Sequence, residues 1–234
     1  DNTSLSSVEC LDLETGQWSE KAPMITPRCC HQAATLGGKI YVAGGTPSNT
    51  VGTLVESFDA ATNQWTAVAP MNTGRKYHCL VSAQGKLYAV GGCDQYGPLS
   101  SVECFDPSTG VWSNIAPLYT GRQYLKVAVL GHKLYAIGGI VDLCTRVRCQ
   151  VFSSSVECLD LSVPKSKWTV VPPMNSGRSN MGTVVTVGKI YVAGGYGYEA
   201  SSIECFDPND GPEGRWTVMR NAFEIRDRSS LILV

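Results

Sequence analysis

Apolar and polar positions alternate over only a few residues at a time and then break at Gly, Pro, Asn or Asp, a pattern of short strands rather than helices. The clearest apolar segment is KIYVAGG (39–45), which returns as KLYAVGG (86–92), KLYAIGG (133–139) and KIYVAGG (189–195). Each predicts one strand, because Ile/Leu-Tyr-Val/Ala is rich in β-formers, and the glycine pair ends it where the backbone needs positive φ or a close approach. Four copies at near-regular intervals are an internal repeat.

Other markers keep the same frame. A Glu recurs at Glu9, Glu56, Glu103, Glu157 and Glu204, a Trp at Trp18, Trp65, Trp112, Trp168 and Trp216, and an Arg at Arg28, Arg75, Arg122, Arg178 and Arg226. One unit therefore reads Arg, apolar strand a, turn, Tyr strand b with Gly-Gly, loop, V-E-C-F-D strand c, turn, Trp strand d, Pro-Met. The step from Trp to Arg is 10 residues in all five units, and from Arg to the second Gly 17 in all four. The step from Gly-Gly to Glu varies, at 11, 11, 18 and 9 residues. In an antiparallel meander the b–c and d–a links share one face, and loops that vary over a fixed scaffold are where binding resides. The functional face is expected to be that one.

Four-stranded units of about 50 residues with Gly-Gly, Tyr and Trp mark kelch repeats. From SSVECLD to Arg226 the chain resembles the kelch-like proteins, and its wording SVECFDPxTxxWxxxAPM is most similar to that of BTB-kelch proteins. The resemblance implies an all-β fold, a β-propeller of four-stranded antiparallel blades. The expected division of this single domain is strands c and d of one blade in 1–27, whole blades in 28–74, 75–121, 122–177 and 178–225, and strand a of the next in 226–234. These nineteen strands close neither a five- nor a six-bladed ring, so the chain is expected to be a slice of a longer domain whose parent is six-bladed. Asp1 aligns with Asp94, two residues past a Gly-Gly, which places a further strand b before it.

Composition adds limits. A 43% hydrophobic, 17% charged chain can build a core, and a net charge of −1 lacks the basic excess of a nucleic-acid binder. There is no apolar run of membrane-spanning length and no leader at Asp1, so no membrane role is expected. Of ten cysteines, Cys10, Cys104, Cys158 and Cys205 share one repeat position, too far apart to bond to one another, and read as small buried hydrophobes. A reduced, cytoplasmic location follows, with cytoskeletal association or a nuclear pool as variants.

The recurring Trp, Tyr, Gly-Gly, Arg and Glu are expected to be scaffold, with Arg and Glu tying strands together. The more informative positions are locked to the frame but differ chemically between blades. After the Arg come Cys29-Cys30, Lys76-Tyr77, Gln123-Tyr124, Ser179-Asn180 and Asp227-Arg228; after Gly-Gly come Thr46, Cys93 to Tyr96, Ile140 and Tyr196 to Tyr198. In kelch-like proteins these sets ring the mouth of the central channel and contact peptides. The resemblance thus implies a binding pocket that includes Lys76, Tyr77, Gln123, Tyr124, Ser179, Asn180, Tyr96 and Tyr196. Its mix of Lys, amide, hydroxyl and Tyr suits a short acidic or polar peptide.

The insert 140–154 is the largest departure from the frame, and Cys144 and Cys149 beside Arg146 and Arg148 make it a candidate redox pair. No enzyme is expected. The three histidines, His31, His78 and His132, cannot assemble a metal site, the two-His plus Tyr set of kelch-type copper oxidases is missing, and no nucleophile elbow or phosphate loop appears. No cofactor is implied. The resemblance implies a protein-interaction module, the substrate-recognition part of a cullin-RING ubiquitin ligase adaptor that would reach its cullin through a BTB domain not contained in this sequence. The alternative is an actin- or cytoskeleton-binding scaffold.

Overall fold

The computed structural model describes residues 3–46, 51–144, 149–198 and 202–219, the side chains of 142–144 and 149–150 excepted. Every regular element among them is a strand. β1 (Val8–Leu11) pairs with β2 (Trp18–Lys21). A four-stranded sheet follows in the order β3 (Gln32–Leu36), β4 (Lys39–Ala43), β5 (Val55–Asp59), β6 (Gln64–Val68). The next is β7 (Cys79–Ala83), β8 (Lys86–Val90), β9 (Val102–Asp106), β10 (Val111–Ile115). The third joins β11 (Lys126–Leu130) and β12 (Lys133–Ile137), then after a hairpin of β13 (Ile140–Cys144) and β14 (Cys149–Phe152), β15 (Val156–Asp160) and β16 (Thr169–Val171). The fourth is β17 (Gly182–Thr186), β18 (Lys189–Ala193), β19 (Ile203–Asp207), β20 (Arg215–Met219). All pairings are antiparallel, and the first strands β3, β7, β11 and β17 pack against one another in succession. This is the expected propeller of four-stranded blades.

Local chemistry explains the meander. At the end of each third strand an Asp side chain accepts the N–H two residues on, from Ala61 at Asp59, Ser108 at Asp106, Ser162 at Asp160 and Asn209 at Asp207, each at 2.9–3.0 Å. Such a turn satisfies backbone groups that the reversing chain leaves open and sends it back as the fourth strand. Gly92 shows why its position admits no side chain. Its φ is +91°, and a Cβ there would lie 2.7 Å from both the Lys76 carbonyl and the His78 Cβ.

The apolar cores lie between blades. One joins Val90, Val102 and Leu118 of the 75–121 blade to Leu125, Leu134 and Trp168 of the 122–177 blade, and equivalent clusters fill the junctions on either side. The repeated Trp bolts each junction: its indole N–H donates to a carbonyl just past the last strand of the preceding blade, Ala22, Ala69, Ala116 and Pro172 in turn, at 2.8–3.0 Å. Arg and Glu form the tie expected of them, but with a longer reach. Arg75 pairs with Glu103 at 2.7 Å and donates to the Gly91 and Ser101 carbonyls, while Glu103 also accepts the N–H groups of Asn72 and Thr73 on the incoming linker. Arg28–Glu56, Arg122–Glu157 and Arg178–Glu204 repeat the arrangement, and all eight side chains are buried.

Some expectations change. The 140–154 insert is not an open loop but the hairpin β13–β14, with Cys144 opposite Cys149 along the backbone. The side chains of that candidate redox pair, and the strand expected at 226–234 with Asp227 and Arg228, lie outside the described residues. Of the four equivalent cysteines, Cys158 and Cys205 are buried, whereas Cys104 is half-buried and Cys10 exposed. Cys104, Cys158 and Cys205 each face a Tyr on the neighbouring strand, Tyr88, Tyr135 and Tyr191, whereas among the described residues β1 is paired on one side only, by β2, and Cys10 has no such Tyr opposite it.

Candidate functional site

Each linker entering a first strand ends on two residues that part company. The first forms a β-bridge to the residue after Gly-Gly, as in Cys29–Thr46, Lys76–Cys93, Gln123–Ile140 and Ser179–Tyr196. The second, Cys30, Tyr77, Tyr124 or Asn180, adopts the left-handed conformation at φ of +53 to +57°. Apart from glycine, only residues such as Asn and Asp adopt it readily, and two tyrosines do so here because the neighbouring blade holds them there. The Tyr77 N–H donates to the Cys30 carbonyl at 3.2 Å, Tyr124 to Tyr77 at 2.9 Å, and Asn180 to Tyr124 at 2.9 Å. One hydrogen bond per blade junction thus runs along the loop face beside the first strands. Just outside it, the second glycine of each pair donates to the next blade's Arg carbonyl, Gly45 to Arg75, Gly92 to Arg122 and Gly139 to Arg178, at 2.8–2.9 Å.

The left-handed turn directs these side chains into a cavity of about 230 Å³, lined by Cys30, Tyr77, Tyr124 and Asn180 with Gln32 and Lys126 below them. The rings of Tyr77 and Tyr124 are stacked with centroids 4.2 Å apart, and the Lys76 ammonium sits 5.4 Å from the Tyr77 ring centre. The Tyr77 hydroxyl is hydrogen-bonded to the Cys30 thiol and to Tyr124, and these contacts with partial burial push its pKa far up, so it remains a neutral hydroxyl. Burial likewise raises the Cys30 thiol and pushes Cys93 up to about 11, so neither is an activated nucleophile at neutral pH. Among the described residues no group of three or more His, Cys, Asp or Glu side chains is placed to hold a metal ion.

Of the residues expected at the pocket, Tyr77, Tyr124 and Asn180 line this cavity and Lys76 lies against its Tyr stack. Gln123 and Ser179 do not serve as surface groups; they are 5% and 1% exposed at the bridging position, where Lys76 is half-buried and reaches the Tyr77 ring. Tyr196 is half-buried in its bridge to Ser179. Tyr96 is 88% exposed at the tip of the β8–β9 loop, whose backbone is held by Asp94 through the Tyr96 and Gly97 N–H groups. Gln32 and Lys126 escaped the sequence reading; they lie two residues beyond Cys30 and Tyr124, and the period-two rule was the signal that would have found them.

His78 occupies the repeat position that His31 holds in the preceding blade. It is buried with both ring nitrogens unpartnered, where the equivalent positions carry Leu125 and Met181. Burial, with help from Arg75 and His31, holds its pKa well below the usual imidazole value, so the ring is a neutral packing group.

Comparison with known proteins agrees with this architecture. The KLHDC2/KLHL20/DRC7 Kelch-repeats domain matches residues 1–195, and the Kelch motif matches residues 177–221. An influenza virus NS1A-binding protein homolog of Mus musculus is 52% identical over 42 residues, 18% of this chain and 6% of that protein. Kelch-like protein 30 of Homo sapiens is 41% identical over 51 residues, 22% of this chain and 9% of that one. The matched segments thus span under a tenth of these relatives. A solved structure described as the structure of YjhT shares the fold at a TM-score of 0.75 and 18% identity, over 92% of this chain and 83% of the other. With a kelch-repeat family matching most of its length and kelch-like proteins among its relatives, this chain belongs to the kelch-repeat β-propellers of the kelch-like family.

Proposed function

We propose that this domain binds a short acidic or polar peptide of a protein partner at the channel mouth on the b–c/d–a loop face, and that it does so as the substrate-recognition part of a cullin-RING ubiquitin ligase adaptor. The observation that carries the binding reading is the line of left-handed residues. A backbone frame repeated at each blade presents Cys30, Tyr77, Tyr124 and Asn180 in turn around one cavity. Stacked tyrosines offer large amphipathic area at little entropy cost, and Lys76 and Lys126 supply positive charge without a lining carboxylate. Catalysis is not proposed: the thiols nearest the cavity are protonated and the nearest imidazole is sealed and neutral.

The ligase role rests on kinship with BTB-kelch relatives; an actin-binding scaffold is the competing reading. Purification of the full-length gene product from cells separates them, since an adaptor recovers a cullin and failure to recover any favours the scaffold. Peptide binding itself is tested by proximity labelling with wild-type and Tyr77→Ala/Tyr124→Ala proteins. Partners that act through the channel mouth disappear from the variant's set, and an unchanged set sinks this reading.

A further inference from the structure

On the face opposite the channel mouth, between the second and third blades, lies a groove of about 560 Å³. Ile115 and Ala116 at the end of β10 and Leu159 and Leu161 around the end of β15 give it an apolar floor. Its outer wall is the β15–β16 turn, which is longer than those of the two preceding blades: the step from Glu157 to Trp168 is 11 residues, against 9 in each of them. β16 is three residues long, and Val163 and Pro164 of the turn line the groove beside the floor. The wall is built rather than slack. The Leu161 N–H donates to the His132 carbonyl at 2.8 Å, the Ser166 N–H to the Val163 carbonyl at 3.2 Å, and Lys165 takes the left-handed conformation at φ +54°. Val163 is nonetheless 53% exposed, an aliphatic side chain set against an apolar floor and open to water.

The rim has a charge sign. Lys86, Lys165 and Lys167 line the groove against a single acid, Asp160. That carboxylate already accepts the Ser162 N–H at 2.9 Å and hydroxyl at 2.6 Å, and Lys86 is paired with Asp106 at 2.8 Å. Lys165 and Lys167 are exposed and have no ion-pair partner among the described residues. An apolar floor under unneutralised lysines complements one kind of occupant. We propose that this groove is a second docking surface, which takes a peptide segment of a protein partner carrying large apolar side chains flanked by carboxylates. Carboxylates would meet Lys165 and Lys167 while the apolar side chains cover Ile115, Leu159 and Val163, so charge sets the choice of partner and burial holds it.

The test titrates the ¹⁵N-labelled chain with the peptide acetyl-Glu-Glu-Leu-Phe-Glu-Glu-amide. Two controls replace Glu by Lys, or Leu-Phe by Ser-Ser. The acidic apolar peptide is expected to shift amides of 113–116 and 159–168, and both controls to bind at least tenfold more weakly by those amides. Lys165→Glu/Lys167→Glu, at exposed positions that leave the fold intact, is expected to raise the Kd read from those amides at least tenfold, whereas Tyr124→Ala leaves that groove Kd unchanged. Equal binding of the Lys peptide, no binding at millimolar concentration, or shifts confined to residues around Tyr77 and Tyr124 would overturn the proposal. So would a lysine variant that alters self-association in sedimentation but not peptide binding, because the occupant is then a second copy of this chain.

Discussion

Replacing Arg122 by Met tests whether the repeated Arg is scaffold. The guanidinium is fully buried, pairs with Glu157 at 2.6 Å, and donates to the Gly138 and Ser155 carbonyls at 3.0 and 3.1 Å and to the Ser155 hydroxyl at 2.9 Å. Methionine keeps much of the volume but leaves the Glu157 carboxylate buried with only the Tyr119 N–H, at 2.7 Å, among the bonds it is seen to accept. Removing one partner of a buried pair costs about 3–5 kcal/mol. For a chain of this length that lowers Tm by roughly 6–20 °C. Urea denaturation of wild type and variant measures the loss, with Lys86→Met, which breaks an exposed pair, as a control expected to change little. The double variant Arg122→Met/Glu157→Leu removes the stranded charge, so its loss should fall well short of the summed single losses. A single-variant loss below about 1 kcal/mol, or strict additivity, would refute the reasoning.

Three further outcomes follow from the same contacts. His78→Leu installs the side chain that Leu125 provides in the next blade. Because burial depresses the His78 pKa, the unfolded chain takes up that proton first, so stability is complete above the ordinary value of 6.5 and falls as pH drops through it. At pH 5.5 the variant should be spared about 1 kcal/mol of that loss, and parallel pH–stability curves would count against it. Trp112→Ala, which empties a blade junction and removes the 2.9 Å bond to the Ala69 carbonyl, should cost about 3–5 kcal/mol, while Trp18→Ala, at a site 66% exposed, should cost little; equal losses in denaturant contradict the bolt. Gly92→Ala should destabilise far more than Gly131→Ala by the same measure, because both need positive φ but only Gly92 has atoms at 2.7 Å where the Cβ would lie.

What was legible in the sequence was whatever recurs at a fixed offset. Period-two alternation broken by Asp and Gly shows as strands, and a Trp ten residues before each of the five repeated Arg residues already speaks of one scaffold position per blade. Partner identity across a longer distance was less visible. Arg122 and Glu157 could be matched by count, but not the carboxylate's grip on the Tyr119 N–H, which appears only when the linker folds over it. The left-handed state of Tyr77 and Tyr124 was hidden for a similar reason: local preference opposes it, and the carbonyl that stabilises each lies in the previous blade. Frame-locked variability did pick out residues that line one cavity, Tyr77, Tyr124 and Asn180. It could not say which of two adjacent residues faces the axis, and Gln123 and Ser179 turned out to be the inward-packed members of their pairs. The hairpin of 140–152 was masked by its lack of a counterpart in the other units.

The central claim is that the Tyr77–Tyr124 stack and its surroundings form the peptide-binding mouth. Its most direct test selects peptides from a random display library on the wild-type chain and measures their affinities for wild type and Tyr124→Ala. A buried aromatic anchor at the centre of a site commonly costs 2 kcal/mol or more when truncated. Loss of at least tenfold in affinity, matched by the Tyr77→Ala variant and unaccompanied by a fall in Tm that accounts for it, is the predicted result. Selected peptides that bind Tyr124→Ala and Tyr77→Ala as tightly as wild type would contradict it.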